Sequence, residues 1–281
     1  MNHVVVTGVS TGIGWAITKT LTSHGYHVFG SVRKQADADR LAKEFGASFT
    51  PLLFDVTDET AVHEAAKAVR QKLNGQTLFG LVNNAGVAVP GPLLHLPIAE
   101  LRNQLEINVI GQAIVTQAFA PLLGADRKLQ GKPGRIINIS SVAGKMAMPF
   151  VGPYAMSKHA LEAFSESLRR ELMLYGIDVI IIGPGSIVTP IWDKAQELDI
   201  SPFLNTDYGK VLNKFREFMV SRGKAGLPVE SMGELTLHVL TTPKPKTRYT
   251  IVAGKLKNWT IPRLLPKRMF DNLIAKQLGF K

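Results

Sequence analysis

Short apolar runs alternate with helical stripes from the start of the chain. Residues 3–7 are a strand candidate around the apolar Val4-Val5-Val6, and 12–24 follow with Ile13, Ala16, Ile17 and Leu21 at helical spacing. The same rhythm predicts strands at 26–32, 47–54, 78–83, 135–140, 177–182 and 248–253. Between them it predicts helices at 36–45, from Asp58 to Leu73, 98–123, 153–175 and 227–240. Asp58 suits an N-cap, because its carboxylate can accept an amide hydrogen of the first turn. The strands are mostly unbroken apolar runs such as Val179-Ile180-Ile181-Ile182, which suits a sheet buried on both faces.

Strand–helix alternation of this kind implies an α/β fold, a doubly wound (Rossmann-like) parallel sheet of about seven strands with helices on both faces. No repeat or linker interrupts it, so residues 1–254 are expected to form a single domain. Two segments fall outside the rhythm. Residues 189–225 form an insertion with scattered large apolar groups, among them Ile191, Trp192, Phe203, Leu212 and Phe215. Residues 255–281 form a basic tail.

Composition narrows the chemistry. The chain has no cysteine, which excludes disulfides, thiolate metal sites and a cysteine nucleophile. No cluster of His, Asp and Glu has ligand spacing, so no metal is expected. No secretory leader or spanning helix is legible at the start or elsewhere, and a cytoplasmic protein is the expectation. Formal net charge is +11. Ten Lys or Arg and one acid, Asp271, lie between Lys244 and Lys281, so the excess is local to the tail. No nucleic-acid-binding module accompanies it, and no nucleic-acid partner is expected. Within the tail Met269, Phe270, Leu273, Ile274 and Leu278 share a helical face, with Lys267, Arg268, Lys276 and Lys281 around it. That face suits packing on the body or on a sister subunit; an anionic membrane surface is the alternative.

Between the first strand and first helix stands Thr7-Gly8-Val9-Ser10-Thr11-Gly12-Ile13-Gly14. Glycines there let the backbone approach a pyrophosphate, and the helix N-terminus offers free N–H groups to it. The spacing is Gly-x3-Gly-x-Gly. Asn83-Asn84-Ala85-Gly86 closes the fourth strand, Ser140-Ser141 the fifth, and Tyr154 and Lys158 stand one helical turn apart. With these motifs the chain resembles the short-chain dehydrogenase/reductase family, by motif over residues 3–190 and by element order to about 253. The apolar insertion and Met146, Met148 and Phe150 look similar to its steroid- and retinoid-handling branch.

The resemblance implies an NAD(P)-dependent oxidoreductase. Its catalytic group would be Ser141, Tyr154, Lys158 and Asn108: Tyr154 moves the proton, Ser141 holds the substrate oxygen, Lys158 lowers the tyrosine pKa and binds the nicotinamide ribose, and Asn108 connects Lys158 to solvent through water. Cofactor contacts would come from Gly8, Ser10, Thr11, Gly12, Ile13 and Gly14 at the phosphates, Asp55 and Val56 at the adenine, and Asn84, Ala85 and Gly86 in the cleft. Pro184, Gly185, Val188 and Thr189 would hold the carboxamide, with the Val188 backbone and Thr189 hydroxyl in contact.

The end of the second strand bears on the choice of cofactor. Val32 stands where NAD enzymes of the family carry an acid, and Arg33 follows. A guanidinium suits a 2′-phosphate, so NADP(H) is favoured, with NAD(H) as the alternative. The expected substrate is a small lipophilic alcohol, ketone or aldehyde, and the expected assembly a homodimer or homotetramer. Two other functions remain open at this point: reduction of 3-ketoacyl or small carbonyl compounds, and a catalytically silent dinucleotide-binding regulator.

Overall fold

The computed structural model describes residues 1–280; Lys281, one of the cations expected around the tail helix, lies outside the described residues. Among these residues seven strands form one parallel sheet in the order β3-β2-β1-β4-β5-β6-β7. They are β1 (His3–Val6), β2 (His27–Val32), β3 (Phe49–Leu53), β4 (Gly80–Asn83), β5 (Arg135–Ile139), β6 (Asp178–Pro184) and β7 (Arg248–Ile251). The connecting helices are α1 (Gly12–Ser23), α2 (Gln35–Phe45), α3 (Glu59–Leu73), α4 (Ile98–Leu105), α5 (Gly111–Phe119) and α6 (Gly152–Glu171). Beyond β6 come α7 (Ile191–Gln196), α8 (Gly209–Lys224) and α9 (Glu230–Thr241), and the tail forms α10 (Ile261–Leu264) and α11 (Lys267–Leu278).

Side-chain alternation explains the continuous apolar strands. Val4, Val6, Val82, Ile137 and Ile182 pack on one face with Ile17, Leu41 and Val239. Val5, Leu81, Ile136 and Val179 pack on the other with Val62, Val115 and Phe119. Successive residues point to opposite faces, so a strand covered on both sides needs apolar groups at every position. Each fully buried side chain of this size stabilises the fold by roughly 1.5–3 kcal/mol relative to exposure. Strand order reverses between β1 and β4, and the carboxyl ends of the strands open a crevice there. Asp58 does cap α3, its carboxylate accepting from the Ala61 amide at 3.0 Å.

Three boundaries differ from the sequence pattern. The helix expected over 98–123 is interrupted by a π-helical turn at Glu106–Ile110, and its last turn tightens to a 3-10 helix. Asn108 sits in that π turn, and it is fully buried, although a polar residue in mid-helix is more often turned to solvent. Inward bonds to Val87 account for both features: the extra residue widens the turn and delivers the Asn108 amide to the loop after β4. Pro184, expected just after the sixth strand, is its last residue, paired in register with Ile251. The third strand begins only at Phe49, because Gly46–Ser48 form a single 3-10 turn.

Candidate active site

The glycine turn is locked to the end of β4 by directional bonds. The Asn84 side-chain amide donates to the carbonyls of Thr7 (2.9 Å) and Gly8 (3.0 Å), while the Thr7 hydroxyl accepts from the amides of Asn84 and Ala85. A Cβ on Gly14 would overlap the Gly8 carbonyl and the Asn84 amide, so only glycine closes this contact. Gly12 has φ +61°, a left-handed conformation costly to other residues, and faces Thr189 from the segment after β6. The Gly8 amide donates to Ser31 of β2. Ser10, Thr11, Gly12 and Ile13 lead directly into α1, whose N-terminal amides face the carboxyl edge of the sheet. This cradle fits a dinucleotide pyrophosphate, because its close approaches are made by backbone with no Cβ in the way.

Beside the turn lie Arg33 and Asp55. They form an ion pair at 3.5 Å, with the arginine side chain 68 % exposed. Burial pushes the Asp55 carboxyl up, but the Thr57 amide and hydroxyl and the Arg33 charge outweigh it and hold the group below its ordinary range. Val56 is buried and packs against Gly111. The sequence reading missed Arg40. From α2 its guanidinium donates to the Ser10 carbonyl at 2.7 Å and pairs with Asp37. No local motif marks Arg40; only the packing of α2 on the glycine turn brings it there.

Ser141, Tyr154 and Lys158 converge at the carboxyl ends of β4 and β5. Ser141 caps a 3-10 turn, its hydroxyl accepting from the Ala143 amide. Ser140 is turned away, its hydroxyl donating to Glu162 at 2.7 Å. Tyr154 lies in the first turn of α6. Burial raises its pKa above the ordinary phenol value, and a hydrogen bond with Ser141 opposes that rise. The Lys158 ammonium lies 5.8 Å from the tyrosine ring centre and donates to the Ile139 carbonyl at 2.9 Å. Burial lowers the lysine pKa from 10.5 to about 8, against the pull of the Glu162 carboxylate.

The expected direction for Tyr154 is therefore reversed in the protein alone. Desolvation by burial is the larger cause and outweighs the Ser141 hydrogen bond, so the phenol holds its proton more tightly than a free one. Asn108 completes the group: its Oδ1 accepts from the Val87 amide at 2.9 Å, and its Nδ2 donates to the Val87 carbonyl and to the Ser157 hydroxyl. A Cβ on Gly86 would come within 3.1 Å of Asn108 and 3.8 Å of the Lys158 ammonium, so Gly86 leaves open the space between them.

The segment after β6 meets the site from the other side. The Gly185 amide donates to Ile251 and the Val188 amide to the Leu227 carbonyl, with the Val188 side chain exposed. Phe150, four residues before Tyr154, holds φ +62°, an uncommon conformation for a non-glycine residue. It packs with Ile200, Phe203, Leu212, Phe215 and Leu278 in a cluster separate from the main core. The insertion and the tail thus share one small apolar core. Ile274 and Leu278 turn α11 inward, while Leu264, Met269 and Leu273 remain exposed. Among the described residues no helix is long and apolar enough to cross a membrane, and no three His, Asp or Glu side chains could hold a metal ion.

A doubly wound parallel sheet, a glycine turn at its reversal point and a Ser-Tyr-Lys group at the same edge define a Rossmann-type oxidoreductase. The chain belongs to the short-chain dehydrogenase/reductase family: the family model described as "short chain dehydrogenase" matches residues 2–199. It is 43 % identical to an NADPH-dependent 3-dehydrocapnine reductase of Ornithobacterium rhinotracheale, over 99 % of this chain and 98 % of that one. Human retinol dehydrogenase 5 is 32 % identical over 97 % of this chain and 87 % of its own. Among solved structures, a short-chain dehydrogenase from Streptomyces avermitilis superposes with a TM-score of 0.76 at 23 % identity, covering 99 % of this chain and 95 % of that one.

Proposed function

We propose that this chain reduces the carbonyl of a lipophilic substrate with NADPH, using Ser141, Tyr154, Lys158 and Asn108. The observation that carries the reading is the Tyr154 phenol beside Ser141, with the Lys158 ammonium 5.8 Å from its ring centre, at the edge where the glycine turn offers its cradle. When bound, the nicotinamide supplies the hydride. The chain's own residues do the rest. The Ser141 hydroxyl hydrogen-bonds the carbonyl oxygen and places it. The Tyr154 hydroxyl donates its proton to that oxygen as negative charge develops there. Lys158, one helical turn away, stabilises the phenolate left behind and is placed to hold the nicotinamide ribose hydroxyls.

Asn108 has its side-chain amide engaged by Val87 and Ser157. We assign it the placing of the Gly86–Val87 segment beside the ammonium; a water relaying protons from Lys158 would be held by backbone rather than by this amide. With its amide engaged by Leu227, Val188 has its carbonyl left for a carboxamide, next to the Thr189 hydroxyl and beyond Pro184 and Gly185.

Arg33 supports NADP(H) over NAD(H). An exposed pair with Asp55 at 3.5 Å is worth about 0–1 kcal/mol, so the guanidinium can leave it for a 2′-phosphate. The 43 % identical relative is itself named as NADPH-dependent. The apolar core around Phe150, Phe203 and Phe215 supports a lipophilic substrate, and that relative's 3-dehydrocapnine is the first compound to offer. The test is loss of NADPH absorbance with 3-dehydrocapnine, retinal, a ketosteroid and a 3-ketoacyl thioester, for wild type and Tyr154→Phe. Turnover of a lipophilic carbonyl by wild type alone is expected. Equal turnover by Tyr154→Phe, or none by wild type with any carbonyl, would overturn the reading.

A further inference from the structure

Behind the catalytic serine lies a buried charge cluster that the chemistry above does not use. Glu162 lies one turn beyond Lys158 on α6, with its side chain 2 % exposed. Its carboxylate accepts from the Ser140 hydroxyl at 2.7 Å and from the Arg248 Nε at 2.9 Å and Nη2 at 3.0 Å. Lys145, from the turn after β5, approaches to 3.3 Å and also faces Glu166 at 3.7 Å. The charged groups around Glu162 are therefore Arg248 from β7, Lys145 from that turn, and Lys158 and Glu166 on its own helix.

The neighbouring backbone is shaped around this cluster. A Cβ on Gly183 would overlap the Arg248 guanidinium, and one on Gly144 would come within 2.8 Å of the Ser140 hydroxyl and 3.0 Å of Glu162. Arg248 also donates to the Ser141 carbonyl at 3.3 Å. On its outer side it meets the tail. Trp259 is buried, with the Arg248 guanidinium 5.2 Å and the Arg263 guanidinium 4.6 Å from its ring. Cation–aromatic contacts of this kind gain strength when desolvated.

We infer that Glu162 is a positioning residue of the active site and that the C-terminal segment acts on catalysis through it: Trp259 holds Arg248, Arg248 holds Glu162, and Glu162 fixes the Ser140–Ser141 turn while facing Lys158 with a buried negative charge. This rests on the reading of Ser141, Tyr154 and Lys158 as the reacting group. A buried ion pair is a weak source of net stability, since desolvation offsets its attraction, which leaves orientation and local field as its contribution. The field has a definite sign. The Glu162 anion favours the charged form of Lys158, against burial. Removing that anion makes the ammonium lose its proton at lower pH.

The test is the pH profile of kcat for carbonyl reduction, with NADPH affinity measured by fluorescence as a control. Glu162→Gln alone leaves the half-buried Arg248 without its anion and threatens folding. The double variant Glu162→Gln/Arg248→Met removes both charges and keeps the volume. Its alkaline limb is expected to move down by up to about one pH unit, since Glu162 is the charge that raises the Lys158 pKa, one nearby opposite charge commonly shifts a pKa by that much, and loss of the more distant Arg248 cation offsets only part of it. NADPH affinity is expected to stay close to that of wild type. Arg248→Lys keeps both charges and should retain the wild-type limb.

A folded double variant with a wild-type limb overturns the proposal, as does an equal displacement in Arg248→Lys. Trp259→Leu tests the tail directly and carries the test if the double variant does not fold. A several-fold loss of kcat at unchanged NADPH affinity supports the link, and wild-type kcat refutes it. Tyr154→Phe separates the two readings. Turnover by that variant sinks the assignment of the reacting group. Loss of turnover in it, together with an unmoved limb in the double variant, sinks only the role of Glu162.

Discussion

On the glycine-turn side of Tyr154, residues 7–14 and 84–87 interlock through backbone and amide hydrogen bonds between 2.9 and 3.0 Å. On the side of residues 189–225 and the tail, the contacts are apolar and come from positions as far apart as Phe150, Phe215 and Leu278. Hydrogen bonds are directional and tolerate little displacement, whereas apolar packing accepts many side chains of similar volume. On the proposed function, one side of the crevice serves a single invariant ligand, and the other can be reshaped for different substrates without loss of the first.

Substitutions on the two sides should separate these roles, and the largest effect is expected at the glycine turn. Gly14→Val drives side-chain atoms into the Gly8 carbonyl and the Asn84 amide and displaces the turn, so NADPH binding should fall by about a hundredfold, equivalent to roughly 3 kcal/mol. Wild-type affinity in a fluorescence titration would break the comparison at its strongest point. A smaller effect is expected from Arg33→Asp, which replaces an exposed cation with an acid next to Asp55. The ratio of NADPH to NADH kcat/KM should drop by about tenfold or more, equivalent to the loss of roughly one charge-assisted hydrogen bond. An unchanged ratio would remove Arg33 from the site.

On the apolar side, Leu278→Ala should cost about 2 kcal/mol or more of local stability, because it empties a buried position under the tail. Limited proteolysis should then release the tail at lower protease concentration, and KM for a lipophilic carbonyl should rise while NADPH affinity holds. A parallel loss of NADPH affinity would show that the two sides are not separable. The smallest effect is a matter of pH. Lys158, with a pKa of about 8, is charged below that value and loses its charge above it. The rate of carbonyl reduction should therefore be level at neutral pH and fall through an alkaline limb near 8. A rate that stays level well above this value would mean that the ammonium is not required.

The strand–helix order, the parallel sheet and the contiguous motifs at 7–14, 83–86 and 154–158 were legible from the chain alone. Periodicity and short-range spacing are local properties, and burial on both sheet faces leaves an unbroken apolar run that can be read without coordinates. The resemblance implied Ser141 rather than Ser140, and the structure turns the Ser140 hydroxyl toward Glu162.

Other features depend on which distant residues meet, and these only the tertiary structure decided. Arg40 reaches Ser10 because α2 lies beside the glycine turn, and nothing within either segment signals the contact. Asn108 is buried because a π turn faces the Val87 loop. The Tyr154 pKa is raised because desolvation, a property of the packed surroundings, outweighs the hydrogen bond with Ser141. The basic tail gave no local sign that Trp259 would stack on an arginine of the last strand. Local pattern specifies elements and short motifs; burial and long-range pairing set the electrostatics, and these exist only once the chain has closed on itself.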